Sequence, residues 1–376
     1  MIVNRILEKS IFAAMDDQKA IIILGPRQAG KTTLLQHFKS QKETDLWLNG
    51  DESDIRTLLK NPTSTLLKQI IGTKTRLFID EAQRIENIGL CIKIIVDQIP
   101  NVKVIATGSS AFELANKINE PLTGRKWEFR LLPLSFQEMV DHHGLLDEKR
   151  LIQNRLVYGY YPEIVSNPGD EKNRLKEIAN SYLFKDILTW ENIQKPDRLE
   201  KLVQALAHQV GQEVSYRELG ELIGLDKETV ERYIILLEKA YIIFRLSSLS
   251  RNNRNELKRS RKVFFYDNGL RNSVINNFNP IESRNDIGAL WENFLVSERI
   301  KFLENNRVWA NRFFWRTSTQ QEIDYIEERE GKLFAFEFKW NAKAKFKIPS
   351  AFMESYPDSN VKVINQENIN EFLLPF

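Results

Sequence analysis

The sequence predicts an α/β protein with an N-terminal parallel sheet, a helical middle part that contains a winged helix, and a C-terminal α/β part. Three observations support this prediction. Short apolar runs alternate with amphipathic segments over the first third of the chain, helical spacing dominates from about residue 136, and β-type runs return after Lys262. Such alternation is typical of a parallel sheet with helices on both faces.

The length of 376 residues exceeds one average domain, so two or three are expected. The N-terminal domain should span residues 1–140, with strands at Ala20–Leu24, Asp45–Leu48, Arg76–Ile79, Val102–Ala106 and Glu128–Leu132. A helical lid or linker at 141–195, a winged helix at 196–262 and the C-terminal α/β domain at 263–376 are expected to follow.

The composition is that of a soluble globular protein, with 42% hydrophobic and 28% charged residues. We expect a cytoplasmic protein without a membrane segment, because no signal peptide is visible and no apolar run approaches the roughly 18 residues of a transmembrane helix. Cys91 is the single cysteine, which excludes an internal disulfide and a multi-cysteine metal site.

A phosphate-binding loop follows the first predicted strand. The pattern G-x-x-x-x-G-K-[ST] is matched by Gly25, Pro26, Arg27, Gln28, Ala29, Gly30, Lys31 and Thr32, and Thr33 continues into a helix. The glycines let backbone N–H groups close around phosphate oxygens, while the helix adds the positive end of its dipole. We expect Lys31 to reach the β- and γ-phosphates of ATP and the Thr32 hydroxyl to ligate Mg²⁺.

A second ATPase signature is the apolar run Leu77–Ile79 followed by Asp80 and Glu81. The carboxyl ends of strands in open α/β sheets are where ligands bind. We expect Asp80 to hold Mg²⁺, directly or through water, and Glu81 to polarise the attacking water. The acidic pair therefore predicts hydrolysis of ATP rather than binding alone.

The predicted strand that contains Val104 is followed by three residues with hydroxyl side chains: Thr107, Ser109 and Ser110. One of them, with Ser109 as the candidate, could sense the γ-phosphate. The alternative is that they form the N-cap of a helix that begins at Ala111, and both roles are compatible.

Arg125 follows the turn Leu122–Gly124. It could act as a finger that completes the ATP site of a neighbouring copy, which would make the protein a homo-oligomer. The alternative is an ordinary surface arginine.

The motifs GPRQAGKTTL, LFIDEAQ, ATGSS, LTGR and LPLSFQE together resemble the AAA+-type ATPases that carry a DUF4143 C-terminal region. The resemblance continues through Gly159–Pro162, Tyr182–Ile187 and Lys262–Leu270, so it covers almost the whole chain. The resemblance implies that ATP and Mg²⁺ are cofactors. It also implies that Arg27 is a recurrent residue of the loop and that Arg125 acts in trans, on the ATP site of a neighbouring copy.

The segment Ser215–Glu238 predicts a helix-turn-helix. Ser215 with Glu218 forms a capping box, Gly224 ends the first helix, and Asp226 caps the second. The next β-type run leads into seven basic residues, where a winged helix places its hairpin: Arg245, Arg251, Arg254, Lys258, Arg259, Arg261 and Lys262. Flexible cations suit contacts to phosphates, so we expect sequence-independent DNA binding. A protein-interaction module is the alternative.

Two C-terminal β-type runs, Glu322–Ile326 and Phe334–Trp340, predict a hairpin. Strand alternation puts Glu337 and Lys339 on one face, and the hairpin brings Asp324 beside them. This matches PD-(D/E)XK nucleases, with Asp324 and Glu337 as Mg²⁺ ligands, Lys339 orienting water, and Glu292, or alternatively Glu298, as a helical ligand. The opposing interpretation is a simple ion pair between Glu337 and Lys339.

The sequence thus predicts an AAA+-type ATPase that acts on DNA through a winged helix and a nuclease-like C-terminal domain. Two alternatives stay open. One is a nucleotide-dependent protein-interaction switch with a catalytically silent C-terminal domain, and the other is an ATP-gated, metal-dependent nuclease.

Overall fold

The computed structural model describes residues 2–39, 44–108, 118, 121–180, 195–249 and 261–375. The chain divides into two compact units. Unit 1 consists of Met1–Leu134 with Lys239–Tyr241, and unit 2 consists of Ser135–Glu238 with Ile242–Phe376. The mixed α/β class predicted from the sequence is confirmed, because each unit contains a β-sheet together with helices.

Unit 1 contains a parallel sheet with the strand order β2-β3-β4-β1-β5, five strands in the described residues. All five residues of the apolar run in β1 are buried, as expected for a strand covered on both faces. The predicted strands are confirmed, with ends that shift by one or two residues. Their bounds are β1 Ala20–Leu24, β2 Asp45–Asn49, β3 Arg76–Asp80, β4 Lys103–Gly108 and β5 Lys126–Arg130.

Helices of unit 1 cover this sheet. Leu34 and Leu35 of α2 pack in one cluster with Ile21, Ile23 and other buried residues of the strands. An N-terminal helix that the sequence analysis did not predict joins the same cluster through its apolar residues. The helices described in unit 1 are α1 Leu7–Ala13, α2 Lys31–Phe38, α3 Ser53–Leu59, α4 Ser64–Ile71 and α5 Ile88–Gln98, with a 3₁₀ turn at Ala82–Arg84.

Unit 2 is helical in its first part and mixed in its second. Its longest described helix is buried over most of its length, so it forms the centre of this unit. The described helices are α6 Phe136–His143, α7 Leu145–Arg150, α8 Ile152–Tyr158, α9 Pro162–Ser166, α10 Glu171–Ile178, α11 Pro196–His208, α12 Tyr216–Ile223, α13 Lys227–Lys239, α14 Asn268–Val274, α15 Ile287–Asn305, α16 Ser350–Ser355 and α17 Asn370–Leu373.

The sheet of unit 2 has the order β11-β10-β9-β8-β6-β7, six strands among the described residues. The hairpin β6–β7, where the sequence predicted the wing, pairs through β6 with β8 and so belongs to the same sheet as the C-terminal hairpin β9–β10. The bounds are β6 Ile243–Ser248, β7 Arg261–Phe265, β8 Asn311–Arg316, β9 Glu322–Arg329, β10 Lys332–Phe338 and β11 Asn360–Ile364.

The two helices α12 and α13 begin and end where the sequence indicates. The Ser215 hydroxyl accepts the Glu218 N–H, and Gly224 ends α12 in a left-handed conformation at φ 71°. Asp226 accepts the Thr229 N–H at 2.8 Å at the start of α13. Local capping chemistry therefore places the tight turn between these helices.

No helix in the described ranges has both the length and the apolar character that crossing a lipid bilayer requires.

Candidate functional site

The phosphate-binding loop connects the end of β1 to the start of α2. Gly30 lies at φ 93°, a left-handed conformation that glycine adopts without strain, and α2 begins at Lys31. A Cβ atom on Gly25 would lie 2.0 Å from the Leu131 carbonyl oxygen, so only glycine fits there. Pro26 and Ala29 are buried, while Gln28, Thr32 and Thr33 are exposed and Arg27 is half-buried. The loop backbone is thus held in a shape that presents the first N–H groups of α2 to an anion.

The Lys31 amine is buried inside this loop. Its Nζ donates to the carbonyl oxygens of Gly25 at 3.0 Å and Pro26 at 2.7 Å. Burial lowers the pKa of Lys31 to about 8, although the carboxylates of Glu81 and Asp80 act in the opposite direction. A buried cation satisfied by neutral carbonyls alone is prepared to exchange them for phosphate oxygens.

The Asp80 carboxylate, at the end of β3, connects the phosphate-binding loop to the neighbouring strand β4. Its Oδ2 accepts the Thr32 hydroxyl at 2.8 Å, and its Oδ1 accepts the Thr107 hydroxyl. Asp80 is 5% exposed, so these bonds fix its orientation in a largely water-free position. Thr107 is the hydroxyl of β4 that the structure places beside the site, whereas Ser109 and Ser110 lie outside the described residues.

Glu81 lies directly after β3 in a left-handed conformation at φ 48°. Its Oε2 accepts a 2.5 Å hydrogen bond from the Nε2 of Gln83, whose side chain is 2% exposed. Gln83 stands within the motif LFIDEAQ, but no sequence pattern by itself indicates a role for its side chain. The hydrogen bond from Gln83 therefore fixes the orientation of the Glu81 carboxylate.

Arg5 braces the loop from the N-terminal segment. Its guanidinium donates to the Ala29 carbonyl at 2.8 Å and to the Leu132 carbonyl at 2.7 Å, and the residue is 8% exposed. It thereby joins the phosphate-binding loop to the chain that follows β5. Local sequence patterns do not indicate this contact, because Arg5 matches no motif and its partners lie 24 and 127 residues along the chain.

Arg125 lies away from the loop of its own chain. It directly precedes β5, and its carbonyl accepts the Ala20 N–H at the amino end of β1. The phosphate-binding loop follows the carboxyl end of β1, which is roughly 16 Å away for a five-residue strand. Arg125 is partly exposed and paired with Asp97 at 2.7 Å, a contact that raises its pKa. It therefore does not reach the ATP site of its own subunit.

The loop region fits Mg-ATP. The donor set for the phosphates consists of backbone N–H groups and the buried Lys31 amine, and the oxygen donors for the metal are Thr32 and Asp80. Magnesium prefers oxygen ligands and usually keeps several waters, so one carboxylate and one hydroxyl beside substrate phosphates are sufficient.

A second group of charged residues lies on the sheet of unit 2. Phe336 pairs with Tyr325, which places Glu337 beside Asp324 as predicted. Asp324 Oδ2 accepts the Phe338 N–H at 2.8 Å, and Lys339 Nζ donates to Glu337 Oε1 at 2.7 Å. The other oxygen of Glu337 is buried and has no hydrogen-bond partner among the described residues. Burial, followed by the charge of Asp324, raises the pKa of Glu337 to about 7.

Lys262 of β7 enters this group, which the sequence analysis did not foresee. Its Nζ donates to Glu292 Oε1 at 2.8 Å and also contacts the Glu322 carboxylate. Burial disfavours its charge, but Glu292, Asp324 and Glu322 together raise the pKa of Lys262, so it stays protonated. We call Lys262, Glu292, Glu322, Asp324, Glu337 and Lys339 the C-terminal charged cluster.

Glu298, the alternative helical ligand, lies elsewhere in unit 2. It accepts the Phe136 N–H at 2.6 Å and pairs with Lys301 at 2.6 Å. Glu292 is therefore the helical glutamate of the cluster. Across the described residues, no group of three or more His, Cys, Asp or Glu side chains is arranged to hold a metal ion.

Three of the seven cations predicted on the wing bind internal partners. Arg245 pairs with Glu238 at 2.5 Å and with the Tyr216 hydroxyl, and Arg261 reaches the same hydroxyl at 3.2 Å. Lys262 is buried in the C-terminal charged cluster. Lys262 is therefore not available to an external polyanion, whereas Arg245 and Arg261 are partly exposed beside their internal partners. The other four, Arg251, Arg254, Lys258 and Arg259, lie outside the described residues.

Comparison with known proteins gives three family matches. Residues 17–140 match an AAA domain, residues 149–280 match a domain of unknown function (DUF8612), and residues 287–372 match another (DUF4143). An uncharacterized protein of Mycobacterium tuberculosis is 24% identical over 330 residues, which cover 87% of this chain and 71% of that protein. One of Haemophilus influenzae is 25% identical over 280 residues, or 68% of each chain.

Among solved structures, a Walker-type ATPase of Pyrococcus abyssi is similar over 71% of this chain and 94% of its own, with 13% identity and a TM-score of 0.48. The AAA match and the DUF4143 match cover the parts of the chain whose motifs resemble these two families. The chain therefore carries an AAA-type P-loop ATPase domain in residues 17–140 and a DUF4143 domain in residues 287–372.

Proposed function

We propose that unit 1 binds Mg-ATP on Gly25–Thr33 and hydrolyses it with Glu81 as the base. The observation that supports this most is the bond of 2.8 Å between the Thr32 hydroxyl and Asp80, beside the buried Lys31 amine. It joins the two ATPase signatures at one edge of the sheet.

Each residue has a separate role in this proposal. Lys31 and the N–H groups of the loop bind the phosphates, while Thr32 and Asp80 hold the metal. Mg²⁺ held by Thr32 and Asp80 would supply positive charge against the charge that develops on the phosphate oxygens. Glu81, oriented by Gln83, accepts the proton of the attacking water. Arg125 of a neighbouring copy supplies the remaining positive charge.

Three variants test these roles. Lys31→Ala should lose ATP binding, whereas Glu81→Gln should bind ATP with unchanged Kd and hydrolyse it about 100-fold more slowly or worse. Glu86→Gln is the matched control, because Glu86 is an exposed glutamate close in sequence that pairs only with exposed Lys60 in the described contacts. Wild-type turnover in Glu81→Gln would contradict the role of the base.

We further propose that unit 2 couples hydrolysis to DNA without reading its sequence. The support is the helix-turn-helix α12–α13, with Lys227 and Arg232 exposed on the second helix, and the cationic segment Arg251–Arg259 that the sequence places after it. The test is ATP turnover with and without duplex, forked and single-stranded DNA at low and high salt. Phosphate contacts predict stimulation that falls steeply with salt. No stimulation and no binding at low salt would exclude this partner.

A protein-interaction switch is the second candidate. It is favoured by the internal pairing of Arg245, Arg261 and Lys262 and by the acidic residues Glu228 and Glu231 beside the cations of α13. In this case, ATP turnover is indifferent to all DNA forms.

An ATP-gated nuclease is the third candidate, favoured by the approach of Asp324, Glu337 and Lys339 on one sheet face. Plasmid and branched DNA incubated with Mg²⁺ or Mn²⁺ test it, with Asp324→Ala as the comparison. Absence of metal-dependent cutting by the intact protein excludes it.

A further inference from the structure

The C-terminal charged cluster contains its own cation, Lys262, which contacts two of the carboxylates of the cluster. The Lys262 side chain is 3% exposed, and its amine contacts Glu292 at 2.8 Å as well as Glu322. Asp324 is close enough to raise the pKa of this amine. An ammonium group has three donors and no acceptor, so a setting of carboxylate oxygens satisfies it fully.

Glu292 is held in a position that favours Lys262. Its second oxygen lies 3.1 Å from where a Cβ atom on Gly211 would be, and Gly211 has no side chain and a φ of 74°. The Gly211 N–H is bonded to the Val263 carbonyl at 3.0 Å, which fixes this turn beside β7. The missing side chain of Gly211 thus leaves room for the Glu292 carboxylate, and the Lys262 amine holds it by a hydrogen bond.

A divalent cation needs oxygen ligands that converge at about 2.0 to 2.6 Å. The oxygens of Glu292 and Glu322 converge on the Lys262 amine instead, and Asp324 Oδ2 is occupied by the Phe338 N–H. Glu337 Oε2 is a buried oxygen that receives no hydrogen bond within the part of the chain that the structure describes. As arranged, the residues do not fit a bound Mg²⁺ ion.

We propose that Lys262 takes the place of a divalent metal in this cluster, so that the intact protein binds no metal there. Removal of the amine leaves Glu292, Glu322 and Asp324 without their shared cation, beside the Glu337 carboxylate, which stays paired with Lys339. Those carboxylates then form a site for a divalent ion. Lys262 is thus an internal counter-ion that prevents the nuclease-like face from binding metal ions.

Binding of Mn²⁺ to the full-length, nucleotide-free protein tests this directly by electron paramagnetic resonance. Lys262→Met should bind one more Mn²⁺ ion per chain than the wild type, and Lys262→Met/Glu337→Gln should lose that ion. Lys301→Met is the matched control, since Lys301 is an equally buried lysine paired with Glu298 outside the cluster. It should gain no ion. A folded Lys262→Met that binds no additional Mn²⁺ overturns the proposal.

Loss of the Lys262 amine leaves the carboxylates that face it without their counter-ion, so the variant is expected to unfold at a lower temperature in EDTA and to recover with Mn²⁺. If it does not fold under either condition, the wild type and Glu337→Gln decide the matter. Equal Mn²⁺ binding by these two proteins supports the proposal. A Mn²⁺ ion bound by the wild type and lost in Glu337→Gln overturns it.

Discussion

At the scale of single residues, Lys31 makes ATP binding dependent on pH. Its pKa is lowered to about 8 by burial, and phosphate oxygens favour the charged amine, so the pKa of the bound state is higher. Below about pH 8 the amine is already protonated and affinity is constant. Above it, binding must take up a proton, so Kd should rise up to about tenfold per pH unit.

A fluorescent ATP analogue titrated from about pH 7 to about pH 9.5 measures this dependence. Lys31→Arg is the control, because a guanidinium stays charged over the whole range and should give a flat, weaker profile. A wild-type Kd that is constant up to the highest pH would show that Lys31 does not titrate in the free protein.

Gln83 is predicted to position Glu81 rather than to bind ATP. Gln83→Ala removes the 2.5 Å hydrogen bond to the carboxylate, and kcat should fall about tenfold while KM is unchanged. Gln98→Ala, at the exposed end of α5, is the control and should behave as the wild type. A rise in KM alone would assign Gln83 to substrate binding instead.

At the scale of elements, Arg5 ties the N-terminal segment to the phosphate-binding loop. Arg5→Met leaves the Ala29 and Leu132 carbonyls without their donor, so the free energy of unfolding of unit 1 should fall by about 3 kcal/mol. ATP affinity should fall as well, since the loop loses its brace. Urea unfolding and nucleotide binding measure the two effects.

Lys9→Met is the control for this prediction, because Lys9 is exposed in α1 and close in sequence. It should change neither quantity. Wild-type stability in Arg5→Met would show that the N-terminal segment does not support the loop.

At the scale of the whole molecule, unit 2 should lose stability as the pH rises. Burial raises the pKa of Glu298 from 4.5 to about 7, although Lys301 acts in the opposite direction. The folded state therefore holds a proton that the unfolded state has released. This contribution is fully present below about pH 4.5 and is lost by about pH 7, up to a limit of about 3 kcal/mol.

Urea unfolding of the wild type and Glu298→Gln at several pH values isolates this contribution. The stability of the wild type relative to the variant should decrease between pH 4.5 and 7, because an amide does not titrate. A difference that is independent of pH would mean that Glu298 is charged throughout in the folded state.

Arg125 predicts that activity depends on neighbouring copies. Lys31→Ala and Arg125→Ala should each be inactive, but an equal mixture should recover about a quarter of wild-type ATPase activity, because some intact loops then face an intact arginine. A mixture of wild type and Lys31→Ala is the control for exchange of subunits. No recovery, although subunits exchange, would exclude a role in trans.

The sequence was sufficient for the parts of the site that are local in the chain. Gly25–Thr33 is one continuous turn in which glycine positions, a lysine and a helix start determine the anion site. Asp80 ends β3 and Glu81 follows it directly, so alternation of strands and helices already places them at the same edge of the sheet. The caps at Ser215 and Asp226 were predictable for the same reason.

Only the tertiary structure decided which distant side chains join these sites. Arg5 reaches Leu132 across 127 residues, and Lys262 reaches Glu292 across 30. Such contacts depend on strand order and helix packing, which neighbouring residues do not encode. The backbone that surrounds a phosphate is formed by consecutive residues, so it can be predicted from the sequence. The charge balance of the C-terminal charged cluster depends instead on β7 lying in the same sheet as β9 and β10.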